Sequence, residues 1–476
     1  MARPRAGSGL LRRKPIEHIE EPEGGRTEQL TRVLGLWQLT AIGVGGIIGA
    51  GIFTLAGAVA NGIAGPAVVV SFLIAGIASA AAAFSYAEFA GMIPKAGSAY
   101  TYGYAVLGEI AGWFIGWDLL LEYTAIVAVV AIGISGYFSF LLGDLGVNLP
   151  SWMLGAPGTG AGHRVDLFAA LLCLLIAYLL NLGMRNAARF EMAVVGLKVA
   201  VVLLVIVVGL FHIDTANYNP FFPFGLGGAF TGAATVFFAV FGYDAMSTAA
   251  EESKDAQRHM PKAIIYSLAI SMVLYVLACL VLTGMQNYSE IDKESGFSTA
   301  FKSVGLRGLA DVIAVGAIVG ILTVMFTFML GVSRVWFSMS RDGLLPRWFA
   351  KTHPTRHVPT RVTWIVGVIS ALIAGFLPIV EAAELTNIGI LLAFVVVCAS
   401  VIVLRYRRPD LPRTFRCPGM PFVPAIGILF SLWLITFLQW QTWVRFAVWF
   451  AIGLVVYFAY SYRHSALATD EQAGER

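Results

Sequence analysis

Charge is scarce in this chain. Asp, Glu, Lys and Arg together make up 13% of its 476 residues, about half the share usual in soluble domains. With 58% hydrophobic residues and a mean hydropathy of +0.78, that scarcity excludes an ordinary water-soluble globular protein. Cysteine is also sparse. Cys173, Cys279, Cys398 and Cys417 are widely spaced, which argues against a disulfide framework or a zinc site. No Gly-rich phosphate loop with a following Lys-Ser/Thr occurs, so an ATP-driven pump is not indicated, and no HExxH or Cys/His metal spacing is found. The glycines at 43–51 only superficially resemble a G-x-G-x-x-G pattern and lie in an apolar run without βαβ context, which rejects a dinucleotide reading. No cofactor or metal is expected, and nothing suggests an enzyme. The N-terminus lacks the apolar core of a cleavable signal peptide.

What the chain has in abundance is apolar runs. With roughly 20 residues per bilayer crossing, about 12 spans are expected, near residues 36–61, 66–92, 104–141, 166–183, 191–212, 228–250, 262–286, 309–339, 362–379, 385–404, 421–439 and 443–462. The fold class is therefore an all-α polytopic membrane protein. Residues 1–32 form a charged tail with no periodic apolar face and are expected to be disordered. Residues 33–463 form the membrane domain and 464–476 a short polar tail. With both termini cytoplasmic, roughly 25 of the 32 Lys and Arg fall inside. The net charge of +4 then reflects membrane orientation and not nucleic-acid binding.

Two of the spans are interrupted. The first contains Gly43, Gly45, Gly46, Gly49 and Gly51, five glycines in nine residues. Glycine is a poor helix former that tolerates unusual backbone angles. Irregular backbone at membrane depth survives only where it is buried or lines a cavity. The sixth span places Gly242 and Asp244 mid-helix. The two anomalies lead corresponding five-span sets (about 36–212 and 228–404, with 421–462 additional). Paired breaks in matching positions mark the substrate site of inverted-repeat transporters. The competing reading is close helix packing through small residues.

The motif Gly43-x-Gly45-Gly46-Ile47-Ile48-Gly49-Ala50-Gly51-Ile52-Phe53 resembles the first-helix signature of the amino acid–polyamine–organocation (APC) superfamily. Tyr86-Ala87-Glu88-Phe89 and Pro94 to Tyr102 look like its second-helix exit and first cytoplasmic loop. The run from Phe238 to Ala245 followed by Glu251-Glu252 is similar to its sixth-helix motif, and Ser340-Arg341-Asp342-Gly343 to the end of its eighth. The nearest likeness is to bacterial members of the cationic amino acid transporter family. One departure is Asp255-Ala256, where relatives usually carry Asn-Pro. The resemblance implies a LeuT-type fold, a 5+5 inverted repeat plus two helices, with an amino acid held between the breaks. It further implies secondary active, sodium-independent, proton-coupled uptake across the cytoplasmic (inner) membrane. Exchange or uniport of cationic amino acids is the alternative. A monomer is compatible with the sequence, as is an added small membrane subunit.

A zwitterion needs N–H donors for its carboxylate and C=O acceptors for its ammonium, which helix N- and C-termini supply. The amides of Gly49, Ala50 and Gly51, just past Ile48, are expected to hold the carboxylate. The carbonyls of Ile47, Phe238 and Phe241, next to Ala239, are expected to take the ammonium. Phe238 is either an aromatic lid, as the family position implies, or ordinary packing. Phe328 and its neighbours in the bulky run Thr323 to Phe328 lack an acid, which leans the pocket toward small neutral substrates. Glu122 shares a helix face with Asp118 at i,i+4 spacing and is a candidate for the central cavity or for structural pairing. Lys198 lies about eight residues, roughly 12 Å, into the fifth span. Such a lysine either snorkels to the headgroups or is functional. The resemblance favours a role in which its ammonium replaces a sodium ion, contacts unwound carbonyls of the first helix and exchanges the coupled proton. Asp244 would order the sixth-span break or pass protons.

Overall fold

The computed structural model describes residues 34–92, 100, 108–147, 149–182, 187–243, 246, 253–352 and 359–465, with the side chains of 187–192 outside that description. No strand occurs among them, only two isolated bridges, Leu34 with Ser253 and Leu154 with Asp166. Everything else of length is helix. A chain surrounded by lipid must bond its backbone N–H and C=O groups to itself, and helices do this within one segment.

The first membrane segment is split. Helix α1 spans Leu36–Ile47; after a break at 48–50 the chain continues as α2, residues 51–64, in which an α-helical turn is flanked by two wider π turns. Next come α3 (Val68–Met92), α4 (Glu109–Asp144), α5 (Leu167–Asn181) and α6 (Ala187–Gly209). The sixth segment, α7, stops early, at Gly225–Thr235, and gives way to a tight 3-10 turn over Phe237–Val240. Then follow α8 (Ala256–Met285), a short α9 (Gly296–Ser303), α10 (Arg307–Arg341), α11 (Thr360–Phe376), α12 (Ile379–Arg407), α13 (Phe422–Ile435) and α14 (Trp440–Val456). Seven helical stretches are long and apolar enough to cross a bilayer; α5, α11 and α13 are apolar but shorter. The twelve expected spans are thus all represented, with two revisions. The regular helix of the sixth stops at Thr235, and the eleventh ends at Ile435, whereas the twelfth continues as helix over Trp440–His464.

Membrane segments five apart pack on each other. The second (α3) lies against the seventh (α8), the third (α4) against the eighth (α10), and the fourth (α5) against the ninth (α11); α2 meets the 3-10 turn of the sixth. The long α4, buried along most of its length, runs through the centre. The faces that carry no partner helix are apolar, for example Leu372 and Phe376 on α11 and Val444 and Val448 on α14, as lipid contact requires.

Candidate functional site

The first break leaves carbonyls without their helical donors. Ile48 is extended (φ −72°, ψ 105°) and its N–H still reaches Val44 O at 2.8 Å. The helix resumes at Ala50, and Phe53 N–H donates to Gly49 O at 3.3 Å. The orphaned carbonyls between are taken by side chains from elsewhere. Lys198 Nζ, on α6, donates to Gly45 O at 2.9 Å, and Tyr275 Oη, on α8, donates to Ile47 O at 2.7 Å. Lys198 is 1% exposed, so the snorkelling alternative is excluded. The Ile47 carbonyl, expected to receive a ligand ammonium, already accepts this tyrosine. Only its second lone pair remains for a ligand.

The second break begins earlier than Gly242 and Asp244 suggested. Val236 N–H closes the last turn of α7 on Gly232 O, Ala239 N–H bonds Val236 O, and Phe241 N–H bonds Phe238 O. Phe241 is then extended, and Gly242 takes φ +126°. Asn387, from α12, holds the discontinuity: its Nδ2 donates to Thr235 O at 2.7 Å and its Oδ1 accepts from Phe238 N–H at 2.6 Å. One amide thus satisfies the last carbonyl before the break and an early N–H beyond it. The ring of Phe394, two turns on from Asn387 along α12, packs against Phe237, Phe241 and Tyr243.

The two breaks touch through their backbones. A Cβ at Gly51 would stand 2.2 Å from Ala239 Cβ, and one at Gly242 would stand 2.5 Å from Gly46 O. Gly242 also sits in the left-handed region that other residues resist. Between the breaks lies a small cavity lined by Gly46, Ile47, Gly49, Ala50, Gly51, Phe238, Phe241, Val324 and Phe328. Its walls are main chain and apolar side chain. Phe328 is held edge-on against Tyr123 of α4, with ring centres 5.1 Å apart.

Of the expected site residues, Ile47, Gly49, Ala50, Gly51, Phe238, Phe241 and Phe328 all come together on this cavity. Ile48 and Ala239 belong to the breaks but do not line it. Glu122 is fully buried on α4 and is not among the residues lining this cavity. Asp244 lies outside the described residues. Gly46, Val324, Tyr275 and Asn387 were not singled out from sequence. Gly46 and Val324 sat inside runs already noted, whereas Tyr275 and Asn387 declare themselves only as polar residues within apolar spans.

With the fold and the breaks in view, comparison with known proteins is direct. Residues 34–460 match the family described as amino acid permease. The chain belongs to that family. It is 45% identical over 460 residues to the methylthioribose transporter of Bacillus subtilis (strain 168), covering 97% of this chain and 99% of the relative. It is equally, 45%, identical over 461 residues to the branched-chain amino acid permease BcaP of the same organism, covering 96% and 99%. The vacuolar cationic amino acid transporter 4 of Arabidopsis thaliana is 36% identical over 409 residues, covering 85% and 68%. The chain is thus a multi-pass membrane permease of the APC superfamily, with no enzymatic role.

Proposed function

We propose that this permease imports neutral, apolar amino acids across the cytoplasmic membrane, driven by a proton gradient and independent of sodium. The carrying observation is the cavity between the breaks, whose walls hold no charged side chain. The head group would be met by main chain: amides of Gly49, Ala50 and Gly51 for the carboxylate, carbonyls of Phe238, Phe241 and Ile47 for the ammonium. Val324 and Phe328 would then face the substrate side chain, with Phe238 closing over it. A long basic side chain would find no acid there. The 45% identity to a branched-chain amino acid permease favours the same substrate class.

The coupling part of the reading rests on Lys198. Its ammonium bonds Gly45 O beside the first break, where it would stand in for a free cation, and a buried lysine is a group that can exchange its proton. The packing of segments five apart supports a LeuT-type 5+5 arrangement, in which one bundle rocks against a scaffold while the broken helices hinge. Both termini would be cytoplasmic. Kinship with cationic amino acid transporters favours one second reading, exchange or uniport of cationic substrates.

Proteoliposomes separate the two. With an alkaline interior and no sodium, leucine, isoleucine or valine should accumulate above equilibrium. Unlabelled arginine should compete poorly, and methylthioribose serves as a further competitor. Lys198→Ala should lose gradient-driven accumulation. Counterflow without accumulation, or preferred uptake of arginine, would establish the second reading instead.

A further inference from the structure

Helix α12 ends in a run of arginines that the transport site does not use. Arg405, Arg407, Arg408, Arg413 and Arg416 fall within twelve residues, offset internally only by Asp410. They do not form a loose basic loop. Arg413, although in the connection to α13, has a side chain only 2% exposed. Its Nε donates to Glu88 Oε1 of α3 at 3.0 Å; Nη1 donates to Leu411 O at 2.9 Å and Nη2 to Arg408 O at 2.9 Å. Arg405 grips both oxygens of the same glutamate, and Cys417 N–H adds a bond to it at 2.7 Å. Thr414 Oγ1 donates to Gln257 O in the first turn of α8 at 2.6 Å. The connection is therefore a preformed strap wound around one buried guanidinium and fastened to α3 and α8.

That construction turns Arg407, Arg408 and Arg416 outward, all exposed. Against Asp410 and Glu88 the five arginines leave three positive charges in excess. Two large aromatics, Tyr406 (70% exposed) and Phe422 (72%), bracket the strap at the ends of α12 and α13. Exposed aromatic rings beside cations at the ends of membrane helices suit the headgroup layer, and clusters of this size at such a place attract anionic lipid.

We propose that this arginine strap is a docking surface for anionic phospholipid headgroups, with Arg407, Arg408 and Arg416 contacting the phosphate and Tyr406 and Phe422 seated beside it. Lipid occupancy then acts on transport through the fastening, because α8 carries Tyr275, which bonds Ile47 O at the first break, and α3 packs on the 3-10 turn of the sixth segment. Nothing here depends on which solute the cavity takes.

The test uses the purified full-length protein in neutral detergent, with phosphatidylglycerol or phosphatidylcholine added and the thermal unfolding midpoint read. Phosphatidylglycerol should raise the midpoint, the rise should shrink at high salt, and phosphatidylcholine or inorganic phosphate should produce none. In a triple Arg407→Gln, Arg408→Gln, Arg416→Gln variant most of the rise should vanish. A matched triple (Arg258→Gln, Arg347→Gln, Lys351→Gln) should keep it. Native mass spectrometry of the single Arg408→Gln variant should show fewer retained phosphatidylglycerols than the wild type, a readout that survives poor folding of the triple. An equal rise in the strap variant, or equal losses in both triples, overturns the proposal, because the arginines then set only membrane orientation.

Discussion

Replacing Asn387 with alanine removes one side chain and strands two backbone groups. Phe238 N–H loses its acceptor at 2.6 Å and Thr235 O its donor at 2.7 Å. Both belong to buried residues, Thr235 and Phe238. An unsatisfied buried group costs about 1–3 kcal/mol, so the pair should cost about 2–6 kcal/mol, with the low end reached if a water fills the vacated space. Even about 2 kcal/mol exceeds the 1.4 kcal/mol that equals a tenfold change in an equilibrium constant. If substrate binds only when the sixth-segment break has this geometry, Asn387→Ala should weaken binding more than tenfold while the protein still reaches the membrane. Asn387→Asp keeps an acceptor for Phe238 but, when ionised, offers no donor to Thr235, so its loss should be intermediate. The assay is equilibrium binding of labelled leucine to purified protein, with thermal unfolding in parallel. Wild-type affinity and stability in Asn387→Ala would refute the role assigned to this residue.

Further expectations follow from the same geometry. Gly242→Ala must adopt φ +126° with its Cβ 2.5 Å from Gly46 O; a cost of about 1–3 kcal/mol for the backbone alone, plus the clash, should abolish binding, and retained binding would show that the breaks can separate. Glu88→Ala leaves Arg413 and Arg405 without their shared carboxylate; removing one partner of a buried pair costs about 3–5 kcal/mol, to be read as a fall in unfolding midpoint, and a loss under about 1 kcal/mol would contradict it. Glu294, in the connection before α9, has its carboxyl pressed onto Gly136 of α4. Burial, then repulsion from Asp166 and Asp292, pushes it up to about 8 from 4.5, with Lys293 opposing. The seated segment therefore favours the protonated acid. That contribution is complete below about pH 4.5 and is lost as pH rises through about 8. Amide exchange over 286–303, corrected for intrinsic rate, should speed up from about pH 5 to about pH 9 in the wild type and change less in Glu294→Gln; identical profiles would rule this out.

Much of the architecture was legible because lipid imposes it. A backbone that must satisfy itself writes long apolar runs, and a place where it cannot do so writes glycine. The break at residues 48–50 fell inside the glycine cluster for that reason. The sixth break begins several residues before Gly242 because its cause is not local. Thr235 and Phe238 are released from the helical ladder where Asn387, about 150 positions downstream, stands ready to bond them. Tyr275 escaped notice for the same reason: its partner, Ile47 O, lies 228 residues away. A side chain that caps a remote break carries no periodicity or spacing signal. Glu122 illustrates a different limit. Its helix face was read correctly as buried, yet burial on α4 does not distinguish a cavity wall from the packing behind it.

The hydrogen bond from Lys198 to Gly45 O has a stoichiometric consequence. A free alkali ion at that position could leave with the cargo and be counted in the net charge moved per turnover. An ammonium tethered by four methylenes stays with the polypeptide, and the only part of it that can be handed over is a single hydrogen ion. Under the proposed coupling through Lys198, this group would therefore carry at most one elementary charge per cycle, and the concentration ratio it could sustain would scale with a single proton electrochemical gradient.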